Sequence, residues 1–325
     1  MGALCRELVA PGWPVWAILP PMNVALLLLP DFSLIVLGHV LCRYTALNRS
    51  IWQPVETLVY FVLFPVLLFH AIVRSPLSWA DGQFALTGVM FALTTMLLVL
   101  NLPRLGWLAR HWTAHDFAGA AQVGFRFNSF IALAVVERVA GAPGLLLMSV
   151  LIGFCVPLYN VGAVWPMVRH GQNQSLWKEL MRNPLVVATL SGLVANLLGF
   201  RFPAWLDPAV AKVGASAIPL GLMAAGAGLT WQQLGQQRVL SGVLLGMRHG
   251  LAPLIAYGYA LLMGLNPVQT VVLMVFSAVP TASAAYVLAS RMGFNGAHVA
   301  GLVTMSVALG MASLSVILWQ FAPGL

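Results

Sequence analysis

Long apolar runs with almost no charged residues fill this sequence and limit what it can fold into. Only 7% of the 325 residues are charged and 60% are hydrophobic, whereas soluble domains carry about 25% charged residues. A chain so poor in charge cannot cover a water-facing surface, so lipid must surround it. The runs are much longer than the ~10 residues of a barrel strand. The sequence therefore predicts an all-α polytopic membrane protein.

Turn signals divide the apolar runs into ten predicted transmembrane helices, named here the first to the tenth span. Proline, glycine and charged residues separate the spans, and each is long enough to cross a bilayer. Ten such helices leave no room for a soluble catalytic domain. The predicted spans are 24–46, 52–73, 83–101, 115–139, 143–168, 184–200, 206–229, 237–263, 267–290 and 298–321.

The second half of the sequence repeats the first. A shift of 154 residues places Pro30 on Pro184 and the segment 83–90 on the segment 237–244. Ordered matches of proline, glycine and glutamine indicate a true repeat. Because each copy contains five spans, an odd number, the second copy enters the membrane from the opposite side. The sequence thus predicts two inverted five-helix repeats, which suit alternating access.

The repeat also predicts how the chain is divided. The prolines between residues 8 and 21 prevent a helix there, and either Met1 or Met22 can be the natural start. Basic residues concentrate in the loops of one side, so that side is expected to be cytoplasmic, with both termini outside the cell inner membrane. The predicted segments are a leader 1–22, a first repeat 23–169, a cytoplasmic linker 170–183 and a second repeat 184–325.

The motifs exclude several classes of protein. No zinc-ligand spacing, Gly-rich phosphate loop or nucleophile–base pair occurs, and the three cysteines are isolated. The net charge of +8 comes from single basic residues between apolar runs, which is typical of loops that orient a membrane protein. We therefore expect no enzyme activity, no cofactor, no metal and no nucleic-acid partner.

Polar residues inside the apolar spans are the candidates for function, because they are costly in lipid. In the fourth span, glycine, asparagine and serine loosen the helix. At the equivalent place in the ninth span, Pro280 removes a backbone hydrogen bond, so that helix should break. Thr281 or Ser283 can cap the half-helix that follows. The candidates at these two places are Arg126, Asn128, Ser129, Pro280, Thr281 and Ser283.

Two interrupted helices at matching positions of two repeats are typical of a midplane transport site. Their half-helix N-termini would offer free N–H groups and partial positive charge to a carboxylate, and Arg126 would add a full charge. The alternative is a proline kink absorbed by packing, with Arg126 reaching towards an interface.

Arg248 is a second cation inside the apolar spans, ~16 Å along the eighth span at 1.5 Å per residue. A lone arginine there must face a cavity, a partner or a substrate. Two interpretations stay open: contact with substrate, or pairing with backbone carbonyls or asparagine side chains between helices. We expect the neighbouring His249 to point elsewhere and to have no role.

A cation carrier on the same architecture, of the sodium/proton or bile-acid type, is the main alternative function. Cation exchange normally needs a buried carboxylate, and Asp31, Glu56 and Asp116 are the candidates, all near span ends. We expect Pro30 in the first turn of the first span, where Asp31 would favour the helix dipole. An intramembrane enzyme or a receptor is a third alternative, which a lipid-facing polar cleft would favour.

Four segments resemble the auxin efflux carrier family of PIN-like permeases: 125–131, 157–161, 182–199 and 218–229. The resemblance extends from about residue 24 to the C-terminus. It implies ten helices, crossing broken fourth and ninth helices, elevator-like or rocking alternating access, and organic-anion substrates. It also implies that Asn128 and Pro280 lie at the crossing, with Asn160 beside them.

The chain departs from the family pattern after Asn128. Relatives commonly carry a proline there, and the segment 131–135 has none, so we expect the fourth span to be kinked rather than broken. The predicted function is secondary transport of a small organic anion, a carboxylate, across the inner membrane. The substrate, a coupling proton or sodium ion, the direction of transport, lipid contacts and a homodimer stay open.

Overall fold

The computed structural model describes residues 24–74, 79–170, 184–229, 237–282 and 285–321, which contain helices and no strand. The predicted leader 1–22 and nearly all of the linker 170–183 lie outside these residues. The helices are α1 Val24–Tyr44, α2 Arg49–Leu58, α3 Phe64–Arg74, α4 Trp79–Asn101, α5 Gly106–Ala109, α6 Ala114–Ala120, α7 Ser129–His170, α8 Pro184–Leu197, α9 Asp207–Ala215, α10 Ala217–Ala227, α11 Arg238–Gly246, α12 Ala252–Leu262, α13 Pro267–Ala278, α14 Ala285–Arg291 and α15 Gly296–Phe321.

The described helices confirm an all-α, multi-pass membrane protein. Three shorter apolar helices, Phe32–Tyr44, Val187–Leu197 and Pro267–Ala278, accompany six helical runs that are long and apolar enough to cross a membrane. These six runs are Arg49–Arg74, Gly82–Arg104, Ala114–Arg169, Asp207–Ala227, Arg238–Leu262 and Gly296–Phe321.

Two helices contain a π turn, a locally wider turn, just before a proline, and continue beyond it. Residues Val59–Leu63 join α2 to α3 through a π turn, and Met247–Leu251 join α11 to α12 in the same way. Each π turn ends two residues before a proline, Pro65 or Pro253. A proline has no N–H to donate to the carbonyl four residues earlier, so the hydrogen-bond pattern shifts locally. Such turns are frequent at functional sites.

Gly141 divides the long helix α7 into two parts. The first part is the end of the predicted fourth span, and the second part contains the predicted fifth span. The Gly141 φ of 57° and ψ of −148° are non-helical, and a residue with a side chain adopts such a backbone conformation only with strain. Glycine therefore allows the chain to change direction between the two spans without a long loop.

The helices pack in two groups. In the first, the α1 group, α1 packs on α10 while α3 packs on α8 and α9. In the second, the α7 group, α4 and α13 pack on α7, and α15 packs on α13 and α14. The α1 group comprises α1–α3 and α8–α10, and the α7 group comprises α4–α7 and α11–α15.

Two glycines let α1 and α10 approach closely. A Cβ atom added to Gly38 would clash with the backbone of Met223, and one added to Gly226 would clash with the backbone of Ile35. Small residues at facing positions are the usual means of close helix contact in membranes. The backbones of these two helices therefore touch, which ties the first half of the chain to the second within the α1 group.

The structure corrects two predictions about helix starts. Helix α1 begins at Val24, so Pro30 lies inside the helix and not in its first turn. Helix α2 begins at Arg49, so Glu56 lies in the helix interior, where its carboxylate pairs with Arg49 at 2.9 Å. In both cases the helix extends through a proline, because a proline disturbs only the bonds of the preceding turn.

Candidate functional site

The fourth span is broken, and the prediction of a mere kink is wrong. After α6, a 3-10 turn covers Ala121–Gly124, and α7 begins at Ser129. Asn128 starts this second helix: its Oδ1 accepts the backbone N–H groups of Phe130 and Ile131 at 3.0 and 3.2 Å. An asparagine cap of this kind satisfies the first free amides of a helix. The break therefore does not need the proline that the family pattern carries.

The ninth span breaks where Pro280 predicts. Helix α13 ends at Ala278, Val279 is extended with φ −60° and ψ 151°, and α14 begins only at Ala285. Thr281 was a candidate cap for the following half-helix, but its hydroxyl makes no hydrogen bond in the described part of the chain. Ser283, the other candidate, lies outside the described residues.

The two breaks lie against each other. The backbone N–H of Asn128 donates to the carbonyl of Pro280 at 2.8 Å. The Gln122 side chain, just before the first break, donates from Nε2 to the carbonyl of Ala285 at 3.0 Å. Residues 125–128 and 279–282 therefore form one unit, called here the crossover.

Arg248 holds the end of α13. Its guanidinium is 1% exposed; Nε donates to the Val279 carbonyl at 2.9 Å, and Nη2 donates to the Phe276 and Val279 carbonyls at 2.9 and 2.6 Å. The Phe276 carbonyl belongs to the last turn of α13 and the Val279 carbonyl follows directly after it, so neither has a partner within the helix. Of the two predicted interpretations, the structure favours pairing with backbone carbonyls.

His249 reaches the ninth-span break through two serines, contrary to the expectation that it points elsewhere. Its Nε2 is 2.8 Å from Ser306 Oγ and its Nδ1 is 3.1 Å from Ser313 Oγ. Both serines are on α15, and seven residues apart they share one face of a helix. Two serines on one face of an apolar span are the sequence signal that could have identified this partner.

Two polar atoms at the crossover lack partners. Asn128 Nδ2 and Thr281 Oγ1 are buried and make no hydrogen bond with any described residue. The two residues are 2% and 0% exposed. An unmade hydrogen bond on a buried polar group costs about 1–3 kcal/mol, so a structure keeps such a pair only for a reason.

Arg126 is a cation that has no carboxylate partner in the part of the chain that the structure describes. Its side chain is half-buried, and Nη1 donates to Gln122 Oε1 at 2.7 Å. The ion pairs of Arg49, His70 and Arg74 lie elsewhere, and none of them involves Arg126. The Tyr60 phenol, in the π turn between α2 and α3, is close enough to interact with it electrostatically.

The crossover faces the α1 group. The ring of Phe130, just after the first break, lies 4.9 Å from the ring of Phe64 at the start of α3. A Cβ atom added to Gly221 on α10 would clash with the same ring. The crossover belongs to the α7 group, so it lies at the boundary where the two groups meet.

The other predicted site residues lie nearby with fewer contacts. Ser129 is the first residue of α7. Asn160 is half-buried on α7, next to Tyr159, whose buried ring packs against Phe125, Phe127 and Phe276. Tyr159 therefore packs against aromatic side chains next to both breaks.

Side-chain oxygens of the protein itself already accept several of the half-helix amides that were expected to bind an anion. Asn128 Oδ1 takes two amides of α7, and Ser306 Oγ accepts the backbone N–H of Thr281 at 2.9 Å. These amides are unavailable to a substrate. Side-chain groups of Asn128 and Thr281 remain open at the crossover.

The acids named for a cation carrier lie elsewhere or are engaged. Asp116 Oδ2 accepts hydrogen bonds from Thr113 at 2.6 Å and Gln237 at 2.9 Å at the start of α6, and Glu56 pairs with Arg49. Asp31 is a residue of helix α1.

Comparisons with known proteins agree with this geometry. Residues 166–318 match the family described as "Membrane transport protein". The chain is also 22% identical over 314 residues to a protein of Rhizobium meliloti (strain 1021) named "Putative malonate transporter", and the alignment covers 92% of this chain and 96% of that protein. These two matches confirm the resemblance predicted from the motifs: the second half of the chain is similar to a family of membrane transport proteins, and nearly the whole chain is similar to a protein named as a transporter.

Proposed function

We propose that this protein is a secondary transporter that carries a small carboxylate across the cell inner membrane. The observation that carries the proposal is that the crossover holds one cation without a carboxylate partner and two polar atoms without hydrogen bonds among the described residues. One full positive charge, on Arg126, has no carboxylate partner among the described residues. One amide donor, Asn128 Nδ2, and one hydroxyl, Thr281 Oγ1, are buried and make no hydrogen bond within the described part of the chain.

A carboxylate is the ligand that complements these groups. It brings negative charge to a guanidinium and accepts hydrogen bonds from an amide and a hydroxyl. A bound acid would thus relieve the desolvation cost of the two buried polar atoms and the cost of a cation inside the membrane. A cation would leave Asn128 Nδ2 unsatisfied and would face the charge of Arg126.

Each predicted site residue takes a role from its position. Arg126 neutralises the substrate, and Asn128 and Thr281 bind its oxygens. Ser129 and Asn160 border the same space. Arg248 and Pro280 position the break, because their polar atoms are bonded to the backbone of the crossover. Ser283 keeps its place as a candidate from the sequence alone.

The substrate is a small dicarboxylate in this proposal. The named relative is called a malonate transporter, and malonate carries two carboxylates on one carbon. Arg126 and Asn128 are two residues apart, so their α-carbons are at most about 7 Å from each other. One short dicarboxylate can therefore reach both.

The proposed mechanism is alternating access between the α1 group and the α7 group, by an elevator-like or rocking movement. Ten helices in two inverted repeats, 23–169 and 184–325, with both termini outside, would place the crossover at the bilayer midplane. The packing supports this, since the crossover lies within one group and faces the other.

Uptake into proteoliposomes tests the proposal. The purified protein would be reconstituted, and labelled malonate, succinate and acetate would be offered with the pH gradient, sodium gradient and voltage set independently. We expect saturable uptake with a preference for dicarboxylates. Arg126→Gln should raise KM about tenfold or more, because a hydrogen bond to a charged group contributes about 1.5–3 kcal/mol.

Arg110→Gln is the matched control, since Arg110 is an exposed arginine far from the crossover in sequence. It should transport like the wild type. Equal kinetics of Arg126→Gln and the wild type, or no uptake of any acid by protein shown to be folded, would contradict the proposal. No observation specifically favours the cation carrier, the intramembrane enzyme or the receptor.

A further inference from the structure

We propose that His249 is a positioning residue of the transport site, which fixes Thr281, on the far side of the ninth-span break, through its hydrogen bond with Ser306. This inference rests on the proposed function for its kinetic test, but it also has a structural test of its own. His249 lies in the π turn Met247–Leu251 of the eighth span and contacts the break through two serines of α15.

One serine joins His249 to the end of the first half-helix. Ser313 Oγ donates its single proton to the carbonyl of Ala278 at 2.9 Å, which it shares with the Gly310 carbonyl at 3.3 Å. Its oxygen can then only accept from the imidazole, so His249 Nδ1 carries the proton of that 3.1 Å bond.

The other serine joins His249 to the far side of the break. Ser306 Oγ accepts the backbone N–H of Thr281 at 2.9 Å and therefore has its own proton free to donate. In a neutral imidazole with the proton on Nδ1, Nε2 is an acceptor. Ser306 thus donates to Nε2 at 2.8 Å.

The result is a directed chain of hydrogen bonds that spans the break. It runs from the Thr281 N–H through Ser306, His249 and Ser313 to the Ala278 carbonyl, and each donor and acceptor is used. The residues at its two ends are three apart in the sequence and belong to opposite sides of the break. A chain of this kind is mutually reinforcing, and its loss would free the Thr281 backbone.

Thr281 links the chain to the substrate. Its backbone N–H is held by Ser306, while its hydroxyl is buried and unpartnered. Fixing the backbone therefore fixes where the hydroxyl points. Arg248, the neighbour of His249, holds the Val279 carbonyl between the two ends. Two successive residues of one π turn thus position the whole break.

Two conservative variants test the two ring nitrogens of His249 one at a time. Gln at position 249 can place an oxygen near Nε2 and keep the bond from Ser306, but loses the bond to Ser313. Asn can replace Nδ1 and keep Ser313, but cannot reach Ser306. We expect His249→Asn to raise KM for malonate about three- to tenfold, the cost of one hydrogen bond, and His249→Gln to stay close to the wild type. His111→Gln, at an exposed histidine, is the control.

A double-mutant cycle sharpens the test. Thr281→Val removes the hydroxyl and keeps the backbone N–H. If His249 acts through the position of that hydroxyl, Thr281→Val should add little to the KM of His249→Asn. Additive effects, or equal KM values for His249→Asn and His249→Gln, would overturn the inference.

Hydrogen exchange keeps the inference testable if malonate is not transported. Mass spectrometry of peptides covering 276–282 should show faster amide exchange in His249→Asn and in Ser306→Ala than in the wild type, with His249→Gln protected. Unchanged exchange in both would overturn the inference whatever the substrate. Failure of the proposed function alone would leave this exchange pattern intact.

Discussion

The carboxamide of Asn128 illustrates how one side chain serves both the fold and the site. Its oxygen caps α7 by accepting two backbone amides, its backbone N–H binds the Pro280 carbonyl, and its Nδ2 has no partner. Capping is the structural role, and the free Nδ2 is the feature that points to a ligand. The two roles reside in different atoms, so substitution can separate them.

Asn128→Ser and Asn128→Ala should behave differently. Serine caps a helix about as well as asparagine, while alanine costs about 0.5–2 kcal/mol at this position. We expect Asn128→Ser to retain the thermal stability of the wild type, measured in detergent, but to raise KM for malonate about tenfold, because the Nδ2 donor is lost. Asn128→Ala should lose both stability and transport. Wild-type KM in Asn128→Ser would show that Nδ2 does not touch the substrate.

At the scale of elements, hydrogen bonds from neighbouring helices satisfy the backbone carbonyls that the breaks leave without a helical partner. Arg248 takes the last carbonyls of α13, Ser313 takes the Ala278 carbonyl, and Asn128 takes the Pro280 carbonyl. Helix α15 packs directly behind this segment, since a Cβ atom added to Gly310 would clash with the Pro280 ring. The position of the break along the ninth span therefore depends on a glycine of the tenth.

Gly310→Ala tests this dependence. The added methyl group must displace Pro280, and overpacking of a core costs typically about 1–3 kcal/mol. We expect a lower melting temperature and loss of malonate uptake. Gly242→Ala is the control, because a Cβ atom there meets nothing within 4 Å; it should be neutral or slightly stabilising. Wild-type stability and uptake in Gly310→Ala would contradict close packing of α15 on the crossover.

At the scale of the whole molecule, polar contacts tie the α1 group to the α7 group at one end. Arg49, at the start of α2, pairs with Glu56 at 2.9 Å and donates to the hydroxyl of Tyr286 on α14. The guanidinium also lies 5.6 Å from the centre of the Tyr286 ring. Any relative movement of the two groups must break this contact. Partial exposure limits its strength, since exposed ion pairs contribute at most about 1 kcal/mol.

Tyr286→Phe should make this end open more easily. The variant removes the hydroxyl and keeps the ring, so we expect a population shift of about two- to tenfold, equivalent to one hydrogen bond. The measurement is the alkylation rate of Gly228→Cys, since position 228 lies beside Arg49 and Tyr286. Tyr44→Phe, at an exposed tyrosine of α1, should leave the rate unchanged. An unchanged rate in Tyr286→Phe would show that the contact does not restrain the opening.

Composition and the length of the apolar runs were sufficient to predict the fold class, because a chain with so few charges can be solvated only by lipid, and lipid permits only helices and closed barrels, whose strands are much shorter than these runs. Pro280 predicted the ninth-span break for a similarly local reason, since a proline removes its own backbone bond. The motifs were enough to predict the resemblance to a family of membrane transporters.

Only the tertiary structure decided which polar groups are satisfied. Arg248 and His249 are adjacent in the sequence, and the residues that hold them, at 276–279 and on α15, are distant from them. The repeat and the resemblance predicted a broken fourth helix, while the missing proline favoured a kink; the structure decided for the break, because a side-chain cap and not a proline begins the next helix. Hydrogen-bond partners depend on which helices meet, and that is settled by packing. The sequence by itself determined that cations lie inside the membrane; the structure decided that Arg248 is occupied with carbonyls and that Arg126 has no carboxylate partner among the described residues.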